Sequence, residues 1–578
     1  MSVAPSIPPK EVDCLVLGGG ITGAGIARDA AMRGLRTLLV DSHDFASGTS
    51  HLTSKLIHGG LRYLDQGKIR LAAEGVMERD RLLNRMAPNL VRPLKFVIPY
   101  EGRRFPKWLL TVVGIQSYGF IELCRSGRGC KPLFRRQLRR DYPDLREHPL
   151  GVSYWDAQTN DARLVMATLR TAQSHGATLM NYTEIEEAHV DGNAWRIVLR
   201  SRPLPGREGA GVRVEGTDGC WSVRARSIVN ATGPWAPQTC RLLGVEPVAL
   251  LWVKGSHLLV RRPESFGNDA IIIRSIGDGR PLWVIPWETR LIVGSTERRH
   301  HGDLRDVRPD ADEIDDLWTS FIHYFPRCGL SRSDICAAYA GVRPIVEQAG
   351  ESDNSLSRKY EILLDHDRRL VTVNGGKLTT FRRMAEKTVD AVDRLVARRE
   401  ADSTLRARLR NDRLWPGLSI EEAAQLTTEL RGRWNGSAGA RPVVDHLVRL
   451  YGRDAEQILA DAAHDIEPLF AGLPYCMAEL AYLVRAEHTS CLLDLVKRRT
   501  SIYFLAEGAG LGRLSDMVEQ LAEVHHWDPR RCKQEINSVA DEFCADCAGI
   551  AGDCFERTAL TDRLSRHGAV HDAARSSL

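Results

Sequence analysis

No run in these 578 residues reaches the roughly 18 consecutive apolar positions that a membrane-crossing helix needs. A membrane, where one matters, is therefore met at its surface. The first ten residues are rich in proline and serine and lack an apolar core, so no secretion signal is expected. Charge of one sign is also scarce: 79 Lys and Arg face 74 Asp and Glu, for a net charge of +5. That is too small a balance to suggest nucleic acid, and no nucleic-acid partner is expected. It is compatible with an anionic substrate or an anionic membrane surface. Thirteen cysteines are scattered and odd in number. A chain of this size buries a large core without disulfides, so free thiols in a reducing cytoplasm are the simplest reading. Cys544-Ala545-Asp546-Cys547, with Cys532 and Cys554, has the look of a zinc site. Four-cysteine zinc sites want two close pairs, and Cys532 and Cys554 are singles, so no metal is expected. No Walker lysine, metalloprotease motif or nucleophile elbow occurs, which removes support for NTPase and hydrolase readings. No internal repeat is visible.

What is present is ordinary globular composition, 43% apolar and 26% charged, in a length that suits two or three domains. Asp13-Cys14-Leu15-Val16-Leu17 is a short apolar run that ends in glycines, as a buried parallel strand does. Gly18-x-Gly20-x-x-Gly23 follows, then a helix over Ala24–Arg33 closed by Gly34, then a second strand over Arg36–Asp41. This is one βαβ unit with a dinucleotide fingerprint. The first glycine permits the tight turn, the second lets backbone approach a pyrophosphate, and the third lets helix and strand pack closely. The helix N-terminus faces the phosphates. Asp41 is placed to accept hydrogen bonds from ribose hydroxyls. The fingerprint alone does not separate FAD from NAD.

Further along, Ser227–Gly233 and Leu370–Lys377 again run from an apolar strand into glycine. Three such junctions spread over so long a distance predict one nucleotide-binding domain assembled from separated segments, with a second domain inserted. Strand-like runs at Phe96–Pro99, Trp195–Leu199 and His257–Val260 mark β-rich regions, and Pro203–Gly219 reads as a hairpin loop or insertion. Helices are expected along Ile69, Ala73, Val76, Leu83 and Met86, and along Phe381, Ala385, Val389, Val392 and Val396. Arg398–Arg413 is charge-dense and reads as a domain end or linker. The expected division is a nucleotide-binding domain over 10–90, 150–245 and 335–398, a substrate domain over 91–149 and 246–334, a helical C-terminal domain over 410–560, and a disordered tail over 561–578.

Several segments carry a family resemblance. Ser54-Lys55-Leu56-Ile57-His58-Gly59-Gly60-Leu61-Arg62-Tyr63, Asn230-Ala231-Thr232-Gly233-Pro234-Trp235, Lys254-Gly255-Ser256-His257, Gly341-Val342-Arg343-Pro344 and Gly375-Gly376-Lys377-Leu378-Thr379-Thr380 resemble the motifs of the FAD-dependent glycerol-3-phosphate dehydrogenases, in order and at similar spacing. Tyr154-x-Asp156 and Asp161-Ala162-Arg163-Leu164 also fit. The resemblance covers roughly residues 10–395 well and the C-terminal part more loosely. It implies an α/β protein with the glutathione-reductase-like FAD fold of the D-amino-acid-oxidase type, an inserted β-rich substrate domain and a helical C-terminal domain. It implies oxidation of sn-glycerol 3-phosphate to dihydroxyacetone phosphate, with hydride to flavin N5 and electrons onward to a membrane quinone.

Alcohol oxidation needs a hydride acceptor, a base for the hydroxyl proton and cations for the phosphate. His257, in its motif, is the first candidate for the base, since a neutral imidazole can take that proton. Arg343 cannot be an ordinary base but can stabilise a developing alkoxide, and the resemblance places it near flavin and substrate. The alternative for Arg343 is a domain-interface ion pair. Lys377, at a helix start, is expected to hold negative charge on the reduced flavin. Arg62, Tyr63 and Arg358 are candidates for the phosphate, because arginine offers fork geometry. The residue after Arg358 is Lys359 where the family usually has an acid, and Glu297 stands where the family usually has Asp. Gly18, Gly20, Gly23, Asp41, Thr49, Ser50, Ser54, Lys55, His58, Gly60, Thr232, Gly233, Gly376, Lys377, Leu378 and Thr379 are expected to bind FAD.

Arg103-Arg104-Phe105-Pro106-Lys107-Trp108-Leu109-Leu110 opens a stretch that suits an interfacial segment, with an ordinary buried helix as the competing reading. Family members that feed quinone are peripheral membrane proteins, which implies a cytoplasmic enzyme on the inner face of the cell membrane. A homodimer stays open. Two other functions stay open: an oxygen-using glycerol-3-phosphate oxidase, and a non-catalytic flavin-binding regulatory protein. The presence of His257, Arg343 and Lys377 speaks against the last.

Overall fold

The computed structural model describes residues 7–60, 69–100, 129–202, 204, 219–347, 360–397, 402–434, 439–462 and 466–550. Arg62, Tyr63, Arg358, the Arg103–Phe120 stretch, Cys554 and the 561–578 tail lie outside them, as does nearly all of Pro203–Gly219.

The separated segments meet in one six-stranded sheet. Its order is Glu361–Asp365, Leu370–Asn374, Ile228–Asn230, Cys14–Leu17, Thr37–Val40 and Thr178–Met180. The last five run parallel and Glu361–Asp365 is antiparallel to its neighbour. Val229 sits between Val16 and Val371, so the three glycine-ended strands lie side by side. Cys14, Leu15, Val16 and Leu17 are all buried: helices cover the face of Cys14 and Val16, and strands of a second sheet, through Trp195, Ile197 and Val223, cover that of Leu15 and Leu17. The covering helices are Ile21–Met32 and Phe381–Leu395, whose alanines and valines form one core with Val16, Leu39, Val229 and Val371. Each larger side chain of this kind contributes roughly 1.5–3 kcal/mol on burial. A separate four-stranded sheet orders Glu11–Val12, Cys220–Ala225, Ala194–Ser201 and Thr183–Asp191. Ala194–Ser201 and Cys220–Ala225 are antiparallel neighbours, as a hairpin requires.

The second layer is a ten-stranded sheet containing Val91–Pro99, Leu150–Thr159, Leu250–Arg261, Ala270–Arg274, Pro281–Trp287 and Arg290–Gly294. The Ile335–Val346 strand joins it, antiparallel to Leu250–Arg261 along its whole length. The expected boundaries at 150 and 335 therefore move: Leu150–Thr159 and Ile335–Val346 belong to the substrate-domain sheet. The physical reason is hydrogen bonding, since each pairs over nine or more positions with a strand of that sheet.

Beyond residue 402 the described chain is helical, from Ser403–Asn411 to Pro529–Cys547. The charged stretch read as a linker includes the Ser403–Asn411 helix packed back on the first domain. Leu409 is fully buried against Met32, and Arg28 donates to the carbonyls of Leu409 (3.3 Å) and Asp412 (3.1 Å). The C-terminal helices share buried ion pairs with the nucleotide domain, such as Arg163 with Glu487 at 2.6 Å. No described helix is long and apolar enough to cross a membrane.

Candidate active site

A cavity of about 1390 Å³ runs where the parallel sheet, the ten-stranded sheet and the C-terminal helices meet. It exceeds the roughly 300–1,000 Å³ usual for a single small ligand, so a dinucleotide and a small substrate fit together.

Its glycine-rich wall follows from the first βαβ unit. Gly18 lines the cavity with φ +102°, a conformation that side chains resist, and its neighbour across the turn is the Ala231 carbonyl. Gly23 does not line it. A Cβ on Gly23 would lie 1.8 Å from the Gly18 carbonyl oxygen, so this glycine is required for helix and strand to close up. Gly20 and Ser50 both line the cavity, and the Ser50 hydroxyl accepts from the Ile21 amide at the helix start (3.0 Å). Asp41 lines it as well. Its carboxylate accepts from the amides of Gly19 (2.6 Å) and His43 (2.9 Å), while burial pushes its pKa up to about 6. On the facing strand end, Thr232 and Gly233 line the wall, with Thr232 Oγ1 donating to Asn230 (2.7 Å).

Around the other motifs, Thr49, Ser54, His58 and Gly60 reach the cavity. So do Gly376, Lys377, Leu378 and Thr379. His58 and Thr379 are bound reciprocally: the His58 amide donates to Thr379 Oγ1, which donates back to the His58 carbonyl, each at 3.1 Å. This joins two motifs that are more than 300 residues apart. Thr49 Oγ1 donates to the Val342 carbonyl (2.5 Å), fixing the Gly341–Pro344 motif against the same wall.

Lys55 is not brought to the cavity. Its ammonium is buried, 2.6 Å from Asp161 and over the Trp287 ring at 4.7 Å. A lysine removed from water takes a carboxylate partner, and here that partner comes from the Asp161-Ala162-Arg163-Leu164 motif. Asp156 is similarly buried at the cavity wall, accepting from Arg79 (2.8 Å) and from the Gly59 amide (3.1 Å).

The candidate reacting groups come from the paired strands Leu250–Arg261 and Ile335–Val346. Arg343 lines the cavity and donates through Nη2 to Ser295 Oγ (2.7 Å). Its guanidinium lies over Gly255: a Cβ there would sit 2.5 Å from Nη2 and 2.7 Å from the central carbon. The glycine of Lys-Gly-Ser-His is therefore the space that Arg343 occupies. His257 is buried and stacks on Tyr339, its register partner, at 4.8 Å between ring centres and 14° between planes. Its Nε2 is 2.8 Å from Ser54 Oγ, and Ser54, not His257, forms the cavity wall. Burial first, then the charges of Arg343 and Lys55, hold the His257 pKa well below its ordinary value, so the ring is neutral at pH 7. With its proton on Nδ1, the neutral ring accepts from Ser54 through Nε2.

Sequence reading missed several cavity residues. Arg274, at the end of a plain hydrophobic strand, lines the wall and donates to the Gly279 carbonyl (2.9 Å). Tyr182, Arg202 and Arg498 line it too, without motif context. Among the described residues no group of three or more His, Cys, Asp or Glu is arranged to hold a metal. The glycine cradle, the acid at the end of the second strand and the volume of the cavity suit FAD. Lys377 and the neighbouring helix start place positive charge at the cavity wall.

Comparison with known proteins agrees with this geometry. Residues 13–382 match the FAD dependent oxidoreductase family, and residues 417–532 match the C-terminal domain of alpha-glycerophosphate oxidase. A glycerol-3-phosphate dehydrogenase of Synechocystis sp. is 31% identical over 94% of this chain and 98% of its own. A D-erythritol 1-phosphate dehydrogenase of Brucella abortus is 33% identical over 86% of this chain and 95% of its own. The crystal structure of a glycerol-3-phosphate dehydrogenase from Bacillus halodurans complexed with FAD superposes with TM-score 0.72 at 26% identity, covering 95% of this chain and 96% of that one.

Proposed function

Since the chain belongs to the FAD-dependent oxidoreductase family that includes the glycerol-3-phosphate dehydrogenases, we propose that it oxidises sn-glycerol 3-phosphate to dihydroxyacetone phosphate and passes the electrons to a membrane quinone. The observation that carries this reading is one cavity holding both a dinucleotide cradle and, from the paired strands, Arg343 beside a Ser54–His257 hydrogen bond. FAD, when bound, supplies the hydride acceptor.

The protein's own residues handle the proton and the charge. The substrate C2 hydroxyl gives its proton to Ser54 Oγ as Ser54 gives its own to Nε2 of His257, 2.8 Å away. Ser54 is thereby the relay and His257 the final acceptor. The low proton affinity of the buried ring suits brief storage, because the proton must leave again each turnover. Arg343, held in place by Ser295, stabilises the oxygen as negative charge develops on it. Lys377 offers its charge to the reduced cofactor. Arg62, Tyr63 and Arg358 remain the candidates for the substrate phosphate, and Arg274 joins them from the cavity wall.

Quinone as acceptor and contact with the inner face of the cell membrane are parts of the same proposal, supported by the family resemblance and the basic, Trp- and Leu-containing Arg103–Leu110 stretch. A relative named for D-erythritol 1-phosphate makes a four-carbon polyol phosphate the second reading. Anaerobic bleaching of the flavin by each phosphate tests both. Faster bleaching by erythritol phosphate replaces the substrate; no bleaching by either removes the catalytic reading. Mixing the reduced enzyme with oxygen or a quinone analogue then decides the acceptor, and fast peroxide formation with a poor quinone rate makes it an oxidase.

A further inference from the structure

The cavity wall beside Asp41 is completed by the C-terminal domain. Cys491, Leu493 and Arg498 line the same cavity as Gly18 and Asp41. Arg498 lies on the helical turn Asp494–Arg499. Its Nε donates to Asp44 (2.5 Å) and its Nη2 to Asp494 (2.6 Å). Among the described residues Nη1 makes no hydrogen bond. Two carboxylates thus fix the plane of a guanidinium that borders the cavity with one nitrogen uncommitted. Asp44 belongs to the turn that carries Asp41, and it is also gripped by Arg499 through two bonds of 2.7 Å. Arg499 is fully buried, as a purely structural partner would be, whereas Arg498 keeps 8% of its surface open. Two more contacts tie the same turn to the C-terminal domain. Phe45 meets the His488 ring edge-on at 5.5 Å, and Tyr182, whose amide donates to the His43 carbonyl (3.0 Å), donates its hydroxyl to Asp494 (2.7 Å). The charge of Arg498 also favours the ionised form of Asp41, against its burial.

We propose that the C-terminal domain is part of the cofactor site: Arg498 donates from Nη1 to an oxygen of the dinucleotide beside Asp41, and through Asp44 it couples FAD retention to docking of that domain. This deepens the FAD reading of the same cavity and rests on it. The acceptor is a ribose hydroxyl or an adenosine-side phosphate, two oxygens of one ligand.

The test follows release of fluorescent FAD on dilution of the holoenzyme. Loss of one charge-assisted hydrogen bond in R498M raises the FAD Kd about tenfold to hundredfold. R498K, which restores the charge, recovers part of the loss. Arg170→Met, which breaks the Arg170–Tyr482 and Arg170–Asp454 contacts between the same domains away from the cavity, lowers the thermal midpoint but leaves the FAD Kd within about twofold. Displacement of FAD from the holoenzyme by ADP, but not by adenosine, weakens in R498M if the phosphate is the acceptor; both weaken if it is the ribose. An R498M Kd equal to wild type overturns the proposal, and so does an R170M Kd raised as far as that of R498M. If neither Arg498 variant is soluble, wild-type holoenzyme decides: excess FAD should slow proteolysis within 491–513, and an unchanged rate overturns the coupling. A purified wild-type protein without flavin affinity would instead remove the FAD reading itself.

Discussion

Gly255→Ala is the sharpest probe of the reacting end. The added Cβ would sit 2.5 Å from Arg343 Nη2, where ordinary contacts begin at 3.4 Å. Something must move by about 1 Å to restore van der Waals separation. The obstructing atoms are the far end of a flexible side chain, not backbone, so the guanidinium moves and the strand pair survives. Arg343 then loses its 2.7 Å bond to Ser295 and its aim on the reacting oxygen. A 1 Å misplacement of a positioned group costs on the order of 10²-fold in rate, about 2.7 kcal/mol of barrier. The assay is anaerobic stopped-flow reduction of the bound flavin by glycerol 3-phosphate, which isolates the alcohol-oxidising half. G255A should retain flavin and an unchanged thermal midpoint within a few degrees, while the limiting reduction rate falls about a hundredfold. Reduction at the wild-type rate would refute the reading that Gly255 exists to seat Arg343, and with it the assignment of Arg343 to the developing charge.

His257→Ala should keep FAD and slow flavin reduction by roughly 10²–10⁴ at neutral pH, and unchanged reduction takes His257 out of the mechanism. Ser54→Ala should slow the same step with His257 intact; a wild-type rate would mean that the imidazole meets the substrate without a relay. Asp41→Asn removes a charged acceptor from the cofactor wall, so the FAD Kd should rise about tenfold to hundredfold, measured by flavin release on dilution. Acid should destabilise the fold. Burial first, then neighbouring arginines, lower His43 and His488 to about 4 and hold His51 and His257 well below their ordinary value. The unfolded chain binds these protons below pH 6.5 and the folded chain does not, so their stabilisation is complete above 6.5 and is lost as pH falls toward 4. His488 alone accounts for about 3 kcal/mol over that window. Asp29 and Asp41, raised to about 6, oppose this in part, but the lowered histidines outnumber them. Thermal midpoints should fall from pH 7 to pH 5, and a flat or rising profile would refute the neutral buried histidines.

The first βαβ unit is legible in sequence because its signals are local: an apolar run, glycines at fixed spacing, and an acid at the second strand end. The side-by-side pairing of Val16, Val229 and Val371 is legible only as a repeated strand-to-glycine pattern, since register across such distances leaves no mark on composition. Sequence places the Ile335–Val346 strand in the wrong layer for a related reason. Its small apolar residues suit either sheet, and only the twelve-residue strand's ladder to Leu250–Arg261 decides. The charged Ser403–Asn411 segment hides its helix because arginines dominate it, although Leu405 and Leu409, four apart, share the face that meets Met32. Lys55 is misplaced because a motif names a residue without the direction of its side chain. Its carboxylate partner, Asp161, lies in another motif, but nothing in the spacing joins the two.

That kind of pairing recurs at the reacting end and explains its construction. Gly255 and Arg343 lie on neighbouring strands, as do His257 and Tyr339, so Lys-Gly-Ser-His and Gly-Val-Arg-Pro are two edges of one ladder. His58 and Thr379 make the same kind of joint between two loops. A change in either member of such a pair is a change in both, which is why residues far apart in sequence act as one site. The cofactor end is built differently. Its glycine cradle comes from contiguous chain, but the turn bearing Asp41 is clamped by Arg498 and Arg499 from a domain more than 400 residues away. Two arginines at the end of a short basic helical turn carry no local signal of that task; only the buried carboxylate they share, Asp44, identifies it.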